Sequence, residues 1–272
     1  MPLYRKIQEN GLLVGVWKTE ETVEQLLALL GNISMYEKDL EHFTSDMRKY
    51  EWLAVRVLLK TLCGEEKKVV YLPSGKPYLA DGSAYISISH TNGYVAVALH
   101  PTEEVGIDIE RYGVRVRRVV SRFVRPDEEK TMNQGDEVYV LLLHWSAKET
   151  LFKVMGVEGV DFIRHLHIFP FVMEEEGCLE AQEYRTEAQW HYRVRYLTHP
   201  DFVLTWTIKK MPTCFPSGWH SNKLGRVYSY KKSLLPDHLF WDSETEKIAD
   251  ANHPLCSMFQ ALSSKASGCE SV

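Results

Sequence analysis

Hydrophobic residues in the first 110 positions change from a helical to an alternating spacing. The short apolar run 11–17 is rich in branched residues and predicts a buried strand, and helical spacing follows over 22–30 and, in two pieces, over 35–62. The dipeptide Asn92-Gly93 between two apolar runs favours a hairpin with a type I′ turn, which needs a positive φ at both positions. The alternating runs that predict strands are 68–72, 84–89, 94–99 and 104–109.

The next hundred residues repeat this order. Helical segments and then strand-like runs are predicted at 114–123, 126–132, 136–155, 162–169, 191–197 and 202–208. Helices followed by a small antiparallel sheet, twice over, predict an α+β fold of two similar halves with a cleft between them. We assign residues 1–113 to the N-terminal half and 114–211 to the C-terminal half. Residues 212–272 hold ten serines and four prolines without a sustained period, and we expect an irregular, poorly ordered extension.

The composition is that of a globular protein of a reducing compartment. The chain is 44% hydrophobic with a formal net charge of -5, whereas dedicated nucleic-acid binders are more often basic. The five cysteines form no CxxC pair, which favours free thiols over disulfides or a zinc site. No apolar run approaches the ~20 residues that span a bilayer, and the N-terminus lacks a signal-peptide pattern. We therefore expect a cytoplasmic protein that binds neither nucleic acid nor membranes.

The strand 104–109 leads into a motif with two carboxylates, Gly106-Ile107-Asp108-Ile109-Glu110. Alternate residues of a strand point to the same side, so Asp108 and Glu110 project from one face. Two such charges repel each other unless a cation lies between them, and hard oxygen donors of this kind suit Mg²⁺. An ordinary acidic strand end is the alternative interpretation.

Three further segments carry groups of use in phosphate chemistry. On the predicted helix 136–155, Glu149 and Lys153 share a face with Trp145, although an exposed Glu–Lys pair has the same spacing. The turn Ser74-Gly75-Lys76-Pro77 and the strand end Ser87-Ile88-Ser89-His90-Thr91 offer charge and hydroxyl donors to a phosphate. A plain hairpin turn and a capped strand end remain open for these two segments.

Taken in order, the four motifs resemble those of the 4′-phosphopantetheinyl transferases, specifically the long, monomeric Sfp-type group, over about residues 10–210. The resemblance implies two similar α+β halves with coenzyme A (CoA) bound in the cleft between them. It also implies the reaction, in which the phosphopantetheine group of CoA moves to a serine hydroxyl of an apo acyl or peptidyl carrier protein and 3′,5′-ADP is released.

The resemblance further implies the site residues. Asp108, Glu110 and Glu149 would hold Mg²⁺ against the CoA pyrophosphate, and Glu149, or alternatively Glu110, would take the proton of the carrier serine. Lys153 would neutralise or protonate the leaving 3′,5′-ADP phosphate. Contacts to CoA are implied for Arg48, Arg56, Lys76, Pro77, Ser89, His90 and Lys148.

Six arginines between Arg111 and Arg125, which we call the basic segment, have valines interleaved at helical spacing. Because carrier proteins are typically acidic, we expect this predicted helix to dock the carrier. A solvated helix face that pairs with nearby acidic residues is the alternative. Two other functions stay open: an inactive module of the same fold that binds CoA or a carrier, and another Mg²⁺-dependent enzyme that acts on a nucleotide phosphate.

Overall fold

The computed structural model describes residues 3–128, 136–209, 219–221 and 227–229. The α-helices in these ranges are α1 (Val23–Leu29), α2 (Glu37–Glu41), α3 (Asp46–Cys63) and α4 (Glu137–Met155), and the 3-10 helices are Ile33–Met35, Val114–Arg118 and Val120–Arg122. The strands are β1 (Leu3–Glu9), β2 (Leu12–Lys18), β3 (Val69–Tyr71), β4 (Pro77–Leu79), β5 (Tyr85–Thr91), β6 (Tyr94–His100), β7 (Val105–Arg111), β8 (Leu166–Ile168), β9 (Glu176–Glu183), β10 (His191–His199), β11 (Phe202–Ile208), β12 (Trp219–Ser221) and β13 (Val227–Ser229).

The first sheet has the strand order β1-β2-β6-β5, and α3 packs its apolar face against it. That helix ends at Gly64, whose φ of 78° places it in the left-handed region, which glycine adopts without strain. The predicted hairpin at Asn92-Gly93 is confirmed as the connection between β5 and β6. Its predicted turn type is wrong, because only Gly93 has a positive φ.

The second sheet has the order β7-β11-β10-β9-β8 and carries α4 on one face. Strand β7 pairs with β11 along its whole length, from Arg111 opposite Phe202 to Val105 opposite Ile208. The sequence pattern places this strand in the N-terminal half, residues 1–113, whereas the structure places it in the second sheet. An alternating pattern identifies a strand but not the sheet it joins, since that depends on the partner strand.

The two sheets meet in a shared apolar core that includes Val14 and Ala96 from one sheet and Ile107 and Leu204 from the other. At the junction, three hydroxyl groups of β5 accept hydrogen bonds from backbone N–H groups of β7. The pairs are Ser87 with Ile107, Ser89 with Ile109, and Thr91 with Arg111, at 3.1, 3.3 and 3.2 Å. The two edge strands therefore run side by side in parallel, joined through side chains.

The structure confirms a mixed α+β architecture with antiparallel sheets and changes several elements. Strands β1, β4 and β9 were not predicted, and neither were β12 and β13, which lie in the extension that was expected to be irregular. The single helix expected over 114–123 is two short 3-10 helices, because the backbone leaves helical geometry at Val119 (φ -119°) and i, i+3 contacts suit both helix types. Most of the helix expected over 126–132, and most of the extension 212–272, lie outside the described residues. None of the described helices combines the length and apolarity that crossing a membrane requires.

Candidate functional site

The site forms where α4 packs unusually close to β7, and Gly106 makes this approach possible. A Cβ atom on Gly106 would lie 2.3 Å from the carbonyl oxygen of Thr150 and 3.0 Å from the Cβ of Val154. No other residue fits such a contact without moving the helix. The close approach brings Lys153 of α4 into direct contact with Asp108 of β7.

The ammonium group of Lys153 lies at the centre of a cluster of polar groups from β5, β7 and α4. It donates hydrogen bonds to Asp108 Oδ1 at 2.7 Å, to Ser89 Oγ at 3.0 Å and to the carbonyl oxygen of Ile107 at 3.1 Å. Ser89 in turn donates to Asp108 Oδ1 at 2.9 Å, so it holds this carboxylate in place. The other oxygen, Asp108 Oδ2, is buried and has no hydrogen-bond partner among the described residues. A buried carboxylate oxygen without a partner is costly and marks a position that a ligand can satisfy.

Glu110 and Glu149 complete a group of three carboxylates around Lys153. Trp145 Nε1 donates to Glu110 Oε1 at 2.7 Å, which sets the orientation of that side chain. Burial, and after it the charge of Asp108, raises the pKa of Glu110 to about 8 and that of Glu149 to about 7. Burial by itself lowers the pKa of Lys153, but the charges of Asp108 and Glu149 outweigh it and the pKa is raised.

The donor set fits a hard divalent cation. In the part of the chain that the structure describes, no three His, Cys, Asp or Glu side chains form a preassembled metal site. The three carboxylates nevertheless act on one another electrostatically, and one of their oxygens is buried and unpartnered. Carboxylate oxygens are the ligands that Mg²⁺ takes in proteins, so Asp108, Glu110 and Glu149 are suitable to hold it.

The residues expected to contact phosphates lie partly near this cluster. Lys76, in the turn between β3 and β4, forms an ion pair with Glu104. It also lies against Gly156 at the end of α4, where a Cβ atom would come within 2.8 Å of Lys76 Nζ. His90 follows Ser89 on β5 but points to α3, and its Nδ1 lies 3.4 Å from Glu51 Oε2.

The other expected CoA contacts lie on the first half. Arg48 is exposed near the start of α3, and Pro77 is partly buried at the start of β4. Arg56, further along α3, is only 4% exposed, and its guanidinium stacks on the ring of Trp52 at 3.7 Å. Burial lowers the pKa of Arg56. The two arginines therefore lie on α3, whereas the carboxylate group is built on β7 and α4.

Lys148 is enclosed in the protein interior. Its Nζ donates to the carbonyl oxygen of Phe123 at 2.6 Å, to Glu128 Oε2 at 2.8 Å and to the carbonyl oxygen of Phe162 at 3.1 Å. All three N–H donors of the ammonium group are thereby used. The phosphate contact expected for Lys148 finds no support in this arrangement.

Three residues of the site were not identified from the sequence as functional: Gly106, Trp145 and Glu128. The glycine stood inside the carboxylate motif, and the tryptophan was noted only as a neighbour of Glu149 on the helix. Their roles depend on contacts across elements, namely β7 with α4 and the indole with Glu110. Glu128 is twenty residues from its partner Lys148, and no local spacing could have indicated the pair.

Comparison with known proteins agrees with this geometry. Residues 104–207 match the family model of the 4′-phosphopantetheinyl transferase superfamily. The chain is 27% identical over 136 residues to a Haemophilus influenzae protein named "Putative 4'-phosphopantetheinyl transferase", a match that covers 47% of this chain and 57% of the relative. It is 25% identical over 138 residues to the 4′-phosphopantetheinyl transferase AcpT of Salmonella typhimurium, covering 48% and 72%.

The chain thus spans less than two thirds of the length of the Haemophilus relative. The family match nevertheless includes both elements that build the cluster, β7 and α4, and with them all three carboxylates and Lys153. The superfamily resemblance inferred from the sequence motifs is confirmed for residues 104–207, which match the 4′-phosphopantetheinyl transferase superfamily, and the Sfp-type group stays a prediction.

Proposed function

We propose that this protein transfers the 4′-phosphopantetheine group of CoA to a serine hydroxyl of an apo acyl or peptidyl carrier protein and releases 3′,5′-ADP. The observation that carries the proposal is the cluster of Asp108, Glu110, Glu149 and Lys153 inside the matched domain, with one buried carboxylate oxygen left without a partner. The names of both relatives support the same activity.

In this proposal the two sheets with their helices are similar halves, and CoA binds in the cleft between them. Asp108, Glu110 and Glu149 would hold Mg²⁺, which when bound offsets the charge that builds up on the phosphate oxygens. Lys76, Arg48 and Arg56 supply the positive charge of the first half toward the nucleotide, His90 offers a ring nitrogen for a hydrogen bond, and Pro77 stiffens the turn that carries Lys76. Ser89 acts through Asp108, to which it donates a hydrogen bond.

The chain's own groups move the proton and stabilise the leaving group. A carboxylate takes the proton of the carrier serine while the serine oxygen forms a bond to the β-phosphorus of CoA. At the same time the bond between that phosphorus and the oxygen bridging the two phosphates breaks, and this oxygen leaves with 3′,5′-ADP. A pKa near neutrality suits a general base. Glu149 accepts no hydrogen bond from another described residue, whereas Glu110 is engaged by Trp145, and this difference favours Glu149 as the base. Lys153, whose side chain is 25% exposed, would exchange one of its present hydrogen bonds for one to the departing 3′,5′-ADP phosphate.

Intact-mass spectrometry tests the proposal. An apo carrier protein incubated with this chain, CoA and Mg²⁺ should gain the mass of one phosphopantetheine group. The gain should be lost with Glu149→Gln and under EDTA, and kept with Glu175→Gln, an exposed glutamate that serves as the matched control. If several acidic carriers gain no mass although the chain binds CoA, the inactive binding module is the correct function.

The basic segment is the proposed docking surface for the carrier. It begins at Arg111, the last residue of β7 and the neighbour of Glu110, and Arg115 and Arg118 are exposed while Val116 is buried and anchors the segment. Arg115→Glu combined with Arg118→Glu should raise KM for an acidic carrier and leave KM for CoA unchanged. Arg164→Glu, at a side chain that is 82% exposed, is the control. An unchanged carrier KM at low salt would contradict this docking surface.

A further inference from the structure

We propose that Lys148 is a positioning residue that, paired with Glu128, fixes the aromatic contact that orients Glu110. The inference rests on the transferase function proposed above. It replaces the phosphate contact that the motif implied for Lys148, and it assigns a role to Glu128, which no motif contains. Both side chains are fully buried, with 0% of their surface exposed, so neither can meet a ligand without a rearrangement of the core.

Both carboxylate oxygens of Glu128 accept hydrogen bonds in the protein interior. Besides Lys148, its Oε2 accepts a hydrogen bond from the backbone N–H of Arg125 at 2.8 Å. Its Oε1 accepts one from the backbone N–H of Ile168, on β8, at 2.7 Å. The ion pair therefore joins α4 to the end of the basic segment and to the second sheet, with both charges matched and hydrogen-bonded.

Lys148 then acts on two phenylalanines that also touch Trp145. Its ammonium group holds the backbone carbonyls of Phe123 and Phe162. The rings of the same two residues pack against the indole of Trp145, with ring centroids 5.3 and 5.6 Å apart, at interplanar angles of 69° and 45°. Helix α4 therefore holds both phenylalanines twice: Lys148 binds their backbone carbonyls, and Trp145 packs against their rings.

The indole held by the two phenylalanines in turn contacts the carboxylate group, because Trp145 Nε1 donates a hydrogen bond to Glu110 Oε1 at 2.7 Å. If the Lys148–Glu128 pair is lost, the backbone at Phe123 and Phe162 is released, the indole can shift, and Glu110 loses its fixed orientation. Misplacing a reacting or metal-binding group by about 1 Å can cost about a hundredfold in rate. The effect should therefore fall on turnover rather than on nucleotide binding.

The test replaces the pair as a unit. Removing one partner of a buried ion pair is strongly destabilising, because it leaves the other charge buried and unpaired, whereas replacing both partners by apolar residues is often neutral. The variant Lys148→Met/Glu128→Leu is therefore compared with the wild-type chain for kcat, for KM of CoA and for the Kd of 3′,5′-ADP. The NMR resonance of the Trp145 indole N–H, identified by its disappearance in Trp145→Phe, reports directly on the packing of the indole. This measurement does not require the enzyme to turn over.

We expect kcat to fall by about tenfold or more, the Kd of 3′,5′-ADP to stay unchanged, and the Trp145 resonance to shift. Combining the pair replacement with Trp145→Phe should give less than the sum of the separate losses, because both act on Glu110. A weaker affinity for 3′,5′-ADP with an unmoved resonance would overturn the proposal in favour of a direct phosphate contact. An unchanged kcat would overturn it in favour of a purely structural pair.

Two further controls keep the outcomes distinct. If the double variant does not fold, Trp145→Phe alone must still lower kcat at unchanged 3′,5′-ADP affinity, and failure to do so contradicts the proposal. If the wild-type chain transfers nothing to any carrier, the proposed function fails. The Trp145 resonance still decides whether Lys148 and Glu128 hold the indole.

Discussion

Helix α4 carries two lysines, each bonded to three acceptors, in opposite electrostatic settings. Lys148 is fully enclosed and meets one carboxylate and two carbonyl groups. Burial outweighs the attraction of Glu128 and lowers the pKa of Lys148. Lys153 is 25% exposed and faces three carboxylates, whose charges raise its pKa although burial opposes them. The same residue type on one helix thus serves a closed, neutral pair and an open site with surplus negative charge.

That surplus is what distinguishes a binding site from a structural ion pair. Lys148 and Glu128 cancel each other, and their hydrogen-bonding capacity is met within the protein, so an added ion would gain nothing there. Around Lys153, the single positive charge faces Asp108, Glu110 and Glu149, and Asp108 Oδ2 is unpartnered. A second cation would relieve both the repulsion and the unpartnered oxygen.

The largest expected effect comes from removing the positive charge of each lysine in turn. Lys153→Met should lower kcat for carrier modification by roughly a thousandfold, because the leaving phosphate loses its cationic partner. Its thermal stability should change less than that of Lys148→Met, which leaves the Glu128 charge buried and alone. Intact-mass kinetics and thermal unfolding of both variants check this. Equal losses of stability would contradict the distinction between the two lysines.

A smaller effect is expected from the packing that brings Lys153 to Asp108. Gly106→Ala should destabilise the protein by about 1–3 kcal/mol, since its Cβ would collide with the Thr150 carbonyl and push α4 away from β7. Gly113→Ala is the matched control, because a Cβ there meets nothing within 4 Å and its φ of 174° is extended backbone. Urea unfolding measures both variants. A Gly106→Ala protein as stable as the control would show that α4 does not depend on this contact.

The last expected effect is a pH dependence of stability that comes from the two glutamates of the open site. The pKa values of Glu110 and Glu149 in the folded protein, about 8 and about 7, lie above the ordinary glutamate value of 4.5. Between pH 4.5 and these raised pKa values, the two carboxyl groups are largely protonated in the folded protein and largely ionised in the unfolded chain. The folded state therefore binds more protons than the unfolded state. Their contribution to stability is therefore complete below pH 4.5 and is lost as pH rises through 7 to 8.

Unfolding by urea in the presence of EDTA should show this loss, at no more than about 1.4 kcal/mol per pH unit for each group. Glu149→Gln should flatten the slope, and Mg²⁺ should stabilise the protein more at high pH, because the cation then no longer competes with protons. A slope that Glu149→Gln leaves unchanged would assign the pH dependence to other groups.

Much of the fold followed from local pattern. The strands 94–99 and 202–208 were predicted within one or two residues of β6 and β11, and helix 136–155 matches α4 closely. These segments have long periodic runs and clear end signals such as Gly156. The pattern failed for β1 and β9, whose exposed faces mix polar residues irregularly, and for the basic segment, where 3-10 and α-helical spacing coincide.

The sequence by itself determined which chemistry is available: two carboxylates on one strand face, a Glu and a Lys on one helix face, and the family to which these motifs point. Tertiary structure alone decided how the residues combine. It placed β7 in the second sheet, brought Lys153 to Asp108, and turned Lys148 away toward Glu128. The physical reason is that spacing fixes the face of an element on which a residue lies. The partner that faces it depends on packing and on charge burial across elements distant in sequence.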